Sequence, residues 1–240
     1  MSDQRPVAEV PRAVLALLAL SVAAQIAWQA VHTDHGRSAI DLPPAPSAQA
    51  LRLASFGEAE AAARLTMLYL QSFDLAGGNV APYRNLDYGR LVDWLAAILA
   101  LDPRSQYPLF AAARVYADTP DPARMRIALD LVYRQFLADP DRRWPWLAHA
   151  ALLAKHRLKD LALARRYAQA LDRHARAPDM PLWARQMEIF ILEDMNELEA
   201  AKIMLGGLLE RGEIDDPGEL RFLKQRLEAL EARLGRKNVN

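Results

Sequence analysis

The chain has 240 residues, with 30 Lys and Arg balanced by 30 Asp and Glu, 15 Pro, 10 Gly and no Cys. That neutrality excludes a general electrostatic nucleic-acid binder, and the lack of cysteine excludes disulfides, thiol catalysis and thiolate metal sites. At 52% hydrophobic and 25% charged, the chain is too apolar for wholesale disorder and long enough for one domain or two small ones.

The first element is an apolar run. Ala13 to Val31 (AVLALLALSVAAQIAWQAV) holds 19 residues without a charge. As a helix it extends about 28 Å, close to the ~30 Å hydrocarbon thickness of a bilayer. Trp28 stands near its far end, where an indole suits the headgroup interface. Arg5 and Arg12 precede the run and Arg37 is the first basic residue after it. That asymmetry predicts a single-pass signal anchor over 13–31, a short cytoplasmic segment 1–12, and a following domain on the outer side of the inner membrane, in the periplasm. Two other readings compete. A cleaved signal peptide, with Ala13–Leu20 as its apolar core and Ser21-Val22-Ala23 as its cleavage site, leaves a secreted or periplasmic soluble domain. A buried or amphipathic soluble helix is the third. Gln25 and Gln29 share one helix face, as a helix contact in the bilayer or simply as a polar end. Arg5 and Arg12 offset Asp3 and Glu9, so the remainder of the chain is also neutral.

Residues 32–47 (HTDHGRSAIDLPPAPS) turn polar and then proline-rich, at Pro43, Pro44 and Pro46. This composition predicts an extended spacer that holds a domain, 48–235, clear of the membrane, with 236–240 as a tail. His32 and His35 flank Asp34, but two histidines on a tether without a rigid third ligand read as solvated side chains, and no metal or other cofactor is expected.

From Ser47 onward the apolar period is helical, strand alternation is missing, and turn residues recur. Glu58–Phe73 and Asp87–Leu101 read as helices on either side of a Gly77-Gly78 loop, Asp74–Asn85. Three segments then repeat one device: Tyr107-Pro108-Leu109-Phe110, Trp144-Pro145-Trp146-Leu147 and Met180-Pro181-Leu182-Trp183, with prolines 37 and 36 apart, and Pro217 a further 36 on. A proline in the first turn suits a helix start, because its missing N–H has no partner there anyway. Matching endings, Leu101-Asp102-Pro103 and Ala138-Asp139-Pro140, precede two of these starts. A period of this size predicts an all-α solenoid of antiparallel helix pairs.

On these columns the chain resembles the tetratricopeptide-repeat (TPR) family. That family opens its first helix with a large residue, sets a small one four later and an aromatic three beyond. Leu109, Ala113 and Tyr116 match this, as do Trp146, Ala150 and Leu153, and in weaker form Trp183, Met187 and Phe190. Ala128, Ala164 and Ala201 stand for the small residue of the second helix, two or three positions late, which lengthens the repeat to 36 or 37 residues. The likeness covers about 87–234. At the end, Leu220, Leu227, Leu230 and Leu234 form an apolar stripe on a charged helix, as a terminal cap requires, or as a short coiled-coil seam for a homodimer.

The sequence carries no nucleophile elbow, glycine-rich phosphate loop or zinc-protease spacing, and no enzyme activity is expected. Gly206-Gly207 falls within a helical pattern. His149 and His156 lie on one helix face, and Glu188, Glu193 and Asp194 on another helix; both sets read as surface groups. What the TPR resemblance implies is a concave groove from the first helices: Tyr107, Phe110, Arg114 and Asp118; then Trp144, Leu147, Ala151, Ala154 and Lys155; then Ala184, Glu188 and Ile191. It lacks the Lys/Asn-rich set with which family members clamp acidic chaperone tails, so the expected guest is an apolar or amphipathic helix of another envelope protein. The Ala-, Leu- and Arg-rich composition suits a GC-rich bacterium. The expected function is a non-catalytic membrane-tethered adaptor. The alternatives are a carrier of a lipid or other hydrophobic ligand, and a helical accessory domain of an envelope enzyme.

Overall fold

The computed structural model describes residues 11–32, 42–74, 82–210, 212, 214 and 216–237. The described residues hold helices and no strand. In chain order these are α1 (Arg12–His32), α2 (Ala48–Ala54), α3 (Ala59–Ser72), a 3-10 turn (Pro82–Asn85), α4 (Tyr88–Leu101), α5 (Tyr107–Phe110, running on as a π-helix through Ala111–Tyr116), α6 (Pro122–Ala138), α7 (Pro140–His156), α8 (Leu161–His174), α9 (Leu182–Arg185), α10 (Met187–Asp194), α11 (Leu198–Glu210) and α12 (Pro217–Lys237). Residues 75–81 of the expected Asp74–Asn85 loop, and His35 of the tether, lie outside the described residues.

Aspartates cap four of the helix starts. Asp87 accepts from the Gly89 and Arg90 amides, Asp121 from Ala123 and Arg124, Asp160 from Leu163, and Asp216 from Gly218 and Glu219. Each carboxylate satisfies amides that the helix itself leaves unpaired and meets the positive end of its dipole. At Asp121-Pro122 and Asp216-Pro217 the capping residue is followed by a proline that fits the first helical position.

Consecutive helices pack in sequence: α3 on α4, α4 on α5, α5 on α6, α6 on α7, α7 on α8, α8 on α10, α10 on α11 and α11 on α12. Neighbours in this series run in opposite directions. The Arg176 amide, just beyond α8, reaches the Asp141 carboxylate at the start of α7. Lys202 on α11 meets Glu231 late in α12 at 3.2 Å. Alternate helices run parallel. Trp146 at the start of α7 donates to Gln106 before α5 (2.6 Å), while Arg157 at the end of α7 reaches Asp118 beyond α5 (3.1 Å). Arg126 and Asp160 (2.7 Å) and the stacked rings of Tyr133 and Tyr167 (5.3 Å) align α6 with α8 in the same way. A series of side-chain ties therefore joins residues 33 to 42 positions apart, among them Gln71–Tyr107, Tyr116–Asp74, Arg143–Pro103 and Arg226–Glu193.

The core is built from the predicted columns. Leu109, Ala113, Tyr116 and Ala150 are buried, as are the small residues Ala128, Ala164 and Ala201 of the second helices. Small side chains let helix axes approach closely, and large ones fill the space between pairs. At the carboxyl end Leu223, Leu230 and Leu234 are buried against α11, with Leu220 and Leu227 half-buried. Leu223 is not among the stripe residues read from the sequence; it joins Leu230 and Leu234 in the packing on α11.

Three expectations are corrected. The proline-rich stretch is not a free spacer: Leu42 is fully buried, Arg90 donates to its carbonyl (2.7 Å), and the Trp94 indole donates to the Pro43 carbonyl (2.8 Å). Extended proline-rich backbone leaves its carbonyls unpaired, and those carbonyls suit side-chain donors on α4. Second, Trp144-Pro145 does not open a helix. α7 begins at Pro140, and Pro145 lies in its second turn. Third, Glu188 and Glu193 are buried and paired, not solvated. Among the described residues no helix is long and apolar enough to cross a membrane. The side chains described in α1 run from Arg12 to Trp28, about 26 Å of helix, and all of them are exposed.

Arg143 is the most heavily used buried cation. It donates to the Gln135 carbonyl (2.6 Å), the Gln135 side chain (2.9 Å) and the Pro103 carbonyl (3.0 Å), tying α7 to α6 and to the turn after α4. Burial lowers its pKa, with Asp139 opposing that shift. Arg143→Met leaves those acceptors without their donor and is expected to cost about 2 kcal/mol, measured by urea unfolding with far-UV dichroism as the probe.

Candidate functional site

The exposed residues of α5 fall at helical spacing: Tyr107, Phe110, Arg114 and Asp118 occupy one face, as the sequence indicates. The other face of this segment, with Leu109, Ala112, Ala113 and Tyr116, is buried.

On α7 the face is rotated. Its solvent side carries Arg142, Pro145, His149, Leu152 and His156, whereas Leu147, Ala151 and Ala154 are in the core at 0% exposure. Trp144 is half-buried, and Lys155 pairs with Asp194 across to the end of α10. On α9 and α10, Ala184, Glu188 and Ile191 are likewise buried, while Trp183 and Asp194 are exposed and Phe190 is half-buried. Leu147, Glu188 and Ile191 thus line no open groove. Leu147 and Ile191 are packing residues. Glu188 accepts from Arg165 (3.1 Å) and Gln169 (2.7 Å) on α8.

What the structure brings together is a row of aromatics across the starts of α5, α7 and α9. Tyr107 stacks on Phe110 (5.9 Å), and Phe110 meets Trp146 edge-on (5.8 Å). On the other side of α7, Trp144 meets Trp183 edge-on (6.3 Å). Trp144 and Trp146, two apart on one helix, point to opposite sides and reach forward and back to the neighbouring pairs. Tyr107 and Trp183, at the two ends of the row, are each about half exposed (48% and 49%). The far ends of the same helices are closed by ion pairs, Arg157 with Asp118 and Lys155 with Asp194.

The sequence reading has His149 as a surface group but not as part of this face, and it missed Leu152 and Trp183 as surface members of it. Reading Pro140 as the helix start would have found the α7 residues. The His149 imidazole is held below its ordinary pKa, first by burial and then by the Arg114 charge, while contact with the Ala113 carbonyl opposes them. It is a neutral ring on the face between α5 and α7.

A cavity of about 350 Å³ lies between α3, α4 and α5, lined by Ala63, Met67, Leu68, Ile98, Tyr107 and Pro108. Leu68 and Tyr107 on its wall are exposed, so it opens to solvent at the Tyr107 end of the aromatic row. Below it, the Tyr116 hydroxyl donates to Asp74 Oδ2 (2.9 Å) while Oδ1 is buried without a hydrogen-bond partner. Burial pushes the Asp74 carboxyl up to about 6, against the lowering effect of the Tyr116 bond. Among the described residues no group of three or more His, Asp or Glu is placed to hold a metal ion. No family model matches the chain, and no curated protein or solved structure matches it either.

Two predictions follow from this geometry. Leu147→Ala is expected to destabilise the fold by about 2–5 kcal/mol through a core cavity, whereas Leu152→Ala changes stability by about 0.5 kcal/mol or less; urea titration of both variants tests the rotation of α7. The folded chain holds the Asp74 proton more tightly than the unfolded chain, whose carboxyl has a pKa of 3.8. Its contribution is therefore full below about pH 4 and lost as pH rises through about 6. The carboxyl is about half solvated, so with screening the loss amounts to about 1 kcal/mol. Asp74→Asn is expected to flatten the stability profile between those pH values.

Proposed function

We propose that this chain is a membrane-tethered, TPR-like α-solenoid of the bacterial envelope, a non-catalytic adaptor whose aromatic row docks an apolar helix of a partner protein. The repeat reading is supported by side-chain ties at separations of 33 to 42 residues and by parallel alternate helices. The anchor reading is supported by the 19 uncharged residues Ala13–Val31 and by the exposure of Val14, Leu17, Leu18, Leu20 and Ile26 along α1. Apolar side chains in that number, with none of the described residues packed over them, suit a lipid environment and not water. The arginines before the segment favour an orientation with the helical domain in the periplasm.

The observation that carries the adaptor reading is the aromatic row. Tyr107, Phe110, Trp146, Trp144 and Trp183 span three successive first helices, and those at the ends keep about half of their surface in solvent. Large, rigid aromatics give much contact area for little conformational entropy, which is why they dominate protein interfaces. A helix laid across the starts of α5, α7 and α9 would cover the row with its own apolar stripe. Leu230 and Leu234 of the C-terminal stripe are buried within the chain, which favours a different protein over a homodimer seam as the proposed partner.

The open cavity beside Tyr107 favours a second reading, in which the chain carries a hydrophobic small molecule. A photo-crosslinking residue in place of Phe110 in the membrane-inserted full chain separates the two. The adaptor reading expects a discrete protein adduct, and Trp183→Ala is expected to lower its yield about tenfold or more. A lipid adduct with no protein adduct supports the carrier. An unchanged yield in Trp183→Ala removes the aromatic row as the docking face.

A further inference from the structure

The turn between α2 and α3 is rigid and apolar at its tip. The Ser55 amide donates to the Leu51 carbonyl (3.0 Å), its hydroxyl to the Arg52 carbonyl (2.7 Å), and the Glu58 amide returns to the Ser55 carbonyl (2.9 Å). Ser55 is itself buried, so the turn is fixed to the body of the domain. Phe56 leaves this frame at φ +50°, a left-handed conformation that disfavours bulky side chains and in which glycine or asparagine is the usual residue. Its ring nonetheless stands 94% exposed, with Leu53 beside it at 80%. Neither side chain contributes to the core, and Phe56 works against the turn it occupies.

The position of the tether says what meets them. Nine residues, 33–41, separate α1 from the fully buried Leu42. Fully extended they reach about 32 Å. From Leu42 the chain runs along α4, bonded at Arg90 and then, through Arg52, at the Ala100 carbonyl (3.0 Å), which covers about 15 Å of helix. Phe56 therefore lies within the reach of the tether from the point where α1 would leave a bilayer. Arg52 and Arg104 flank the turn, and Glu60 is paired with Arg64 (3.8 Å).

We propose that Leu53 and Phe56 form a second membrane contact, entering the headgroup–acyl boundary of the same bilayer that holds α1. This rests on the anchor reading above. The occupant is a lipid surface: two adjacent apolar side chains on a stiff turn make a shallow wedge, too small for a stable protein interface, but held at high local concentration by the nearby anchor. Together, anchor and wedge would fix the orientation of the helical array relative to the membrane.

The chain has no cysteine, so single labelling sites are clean. In full-length protein reconstituted into phosphatidylcholine–phosphatidylglycerol vesicles, an environment-sensitive fluorophore is attached at Leu53→Cys, at Leu17→Cys in α1, or at Ala229→Cys on the exposed side of α12. The wedge predicts a blue-shifted probe at 53 that spin-labelled lipid quenches, no quenching at 229, and loss of quenching at 53 when Phe56→Asp is added. Circular dichroism of that double variant checks that the fold persists. Quenching at 17 without quenching at 53 overturns the wedge and leaves the anchor standing. Quenching at 53 without quenching at 17 overturns the anchor, and with it the proposal of a second contact on the bilayer that holds α1. A blue shift at 53 that lipid does not quench assigns the turn to a protein contact and overturns the proposal, as does equal quenching at 229 or quenching unchanged by Phe56→Asp.

Discussion

The rotation of α7 about its own axis determines how the rest of the molecule is arranged. This helix packs between α5, α6, α8 and the α9–α10 segment, and four alanines, Ala148, Ala150, Ala151 and Ala154, are buried around it. With methyl groups at the contacts, neighbouring helices can approach near the lower end of the usual 8–10 Å spacing, and each ordered contact limits rotation further. Three polar ties hold the same phase: Arg143 backward to Pro103 and Gln135, Trp146 to Gln106, and Arg157 to Asp118. Given that phase, Trp144 and Trp146 must diverge to opposite neighbours, and the aromatic row follows.

The same phase explains what was legible in the sequence. Helical class and the buried small-residue columns Ala113, Ala128, Ala150 and Ala164 depend only on local chemistry and on periodicity, and these can be read without coordinates. The face of α5 was also legible, because Pro108 does mark its start. α7 was misread because Pro145 has the same neighbours as Pro108 but sits a turn and a half into a helix begun by Pro140. On a helix a shift of one residue is a rotation of 100°, so a small error in phase moved Leu147, Ala151 and Ala154 from core to groove. The docking of Leu42–Ser47 was illegible for a different reason. Its affinity for α4 resides in the carbonyls of an extended backbone, which every sequence possesses.

Neutral charge takes on a definite meaning in this fold. Many of the ions are committed within the chain: Glu188 to Arg165, Glu193 to Arg226 and Arg233, Asp160 to Arg126, and Lys202 to Glu231. The two buried glutamates link α10 to α8 and to α12. Ties of this kind are modest as sources of stability, since desolvation offsets much of the attraction. Their use lies in register: each buried carboxylate accepts only the neighbour that brings its partner. Under the proposed function, recognition would then rest on shape and on apolar surface.

That consequence bears on how the two exposed apolar features relate. The aromatic row lies across the starts of α5, α7 and α9, and the Leu53–Phe56 turn lies beside the far end of α4, next to Leu101 and Arg104. α4 lies between them, packed on α5 and on α2, so the turn and the row are fixed to one rigid frame. A flexible spacer of 16 residues would let the domain sample every orientation above a membrane. Docking 42–47 onto α4 leaves nine residues, 33–41, between α1 and the fastened part of the chain. An anchored chain with a short tether gains from any additional contact, however weak, because association at the surface no longer costs translational freedom. A wedge at one end of α4 would therefore set the height and tilt at which the row meets a partner, which makes the tether part of the recognition geometry.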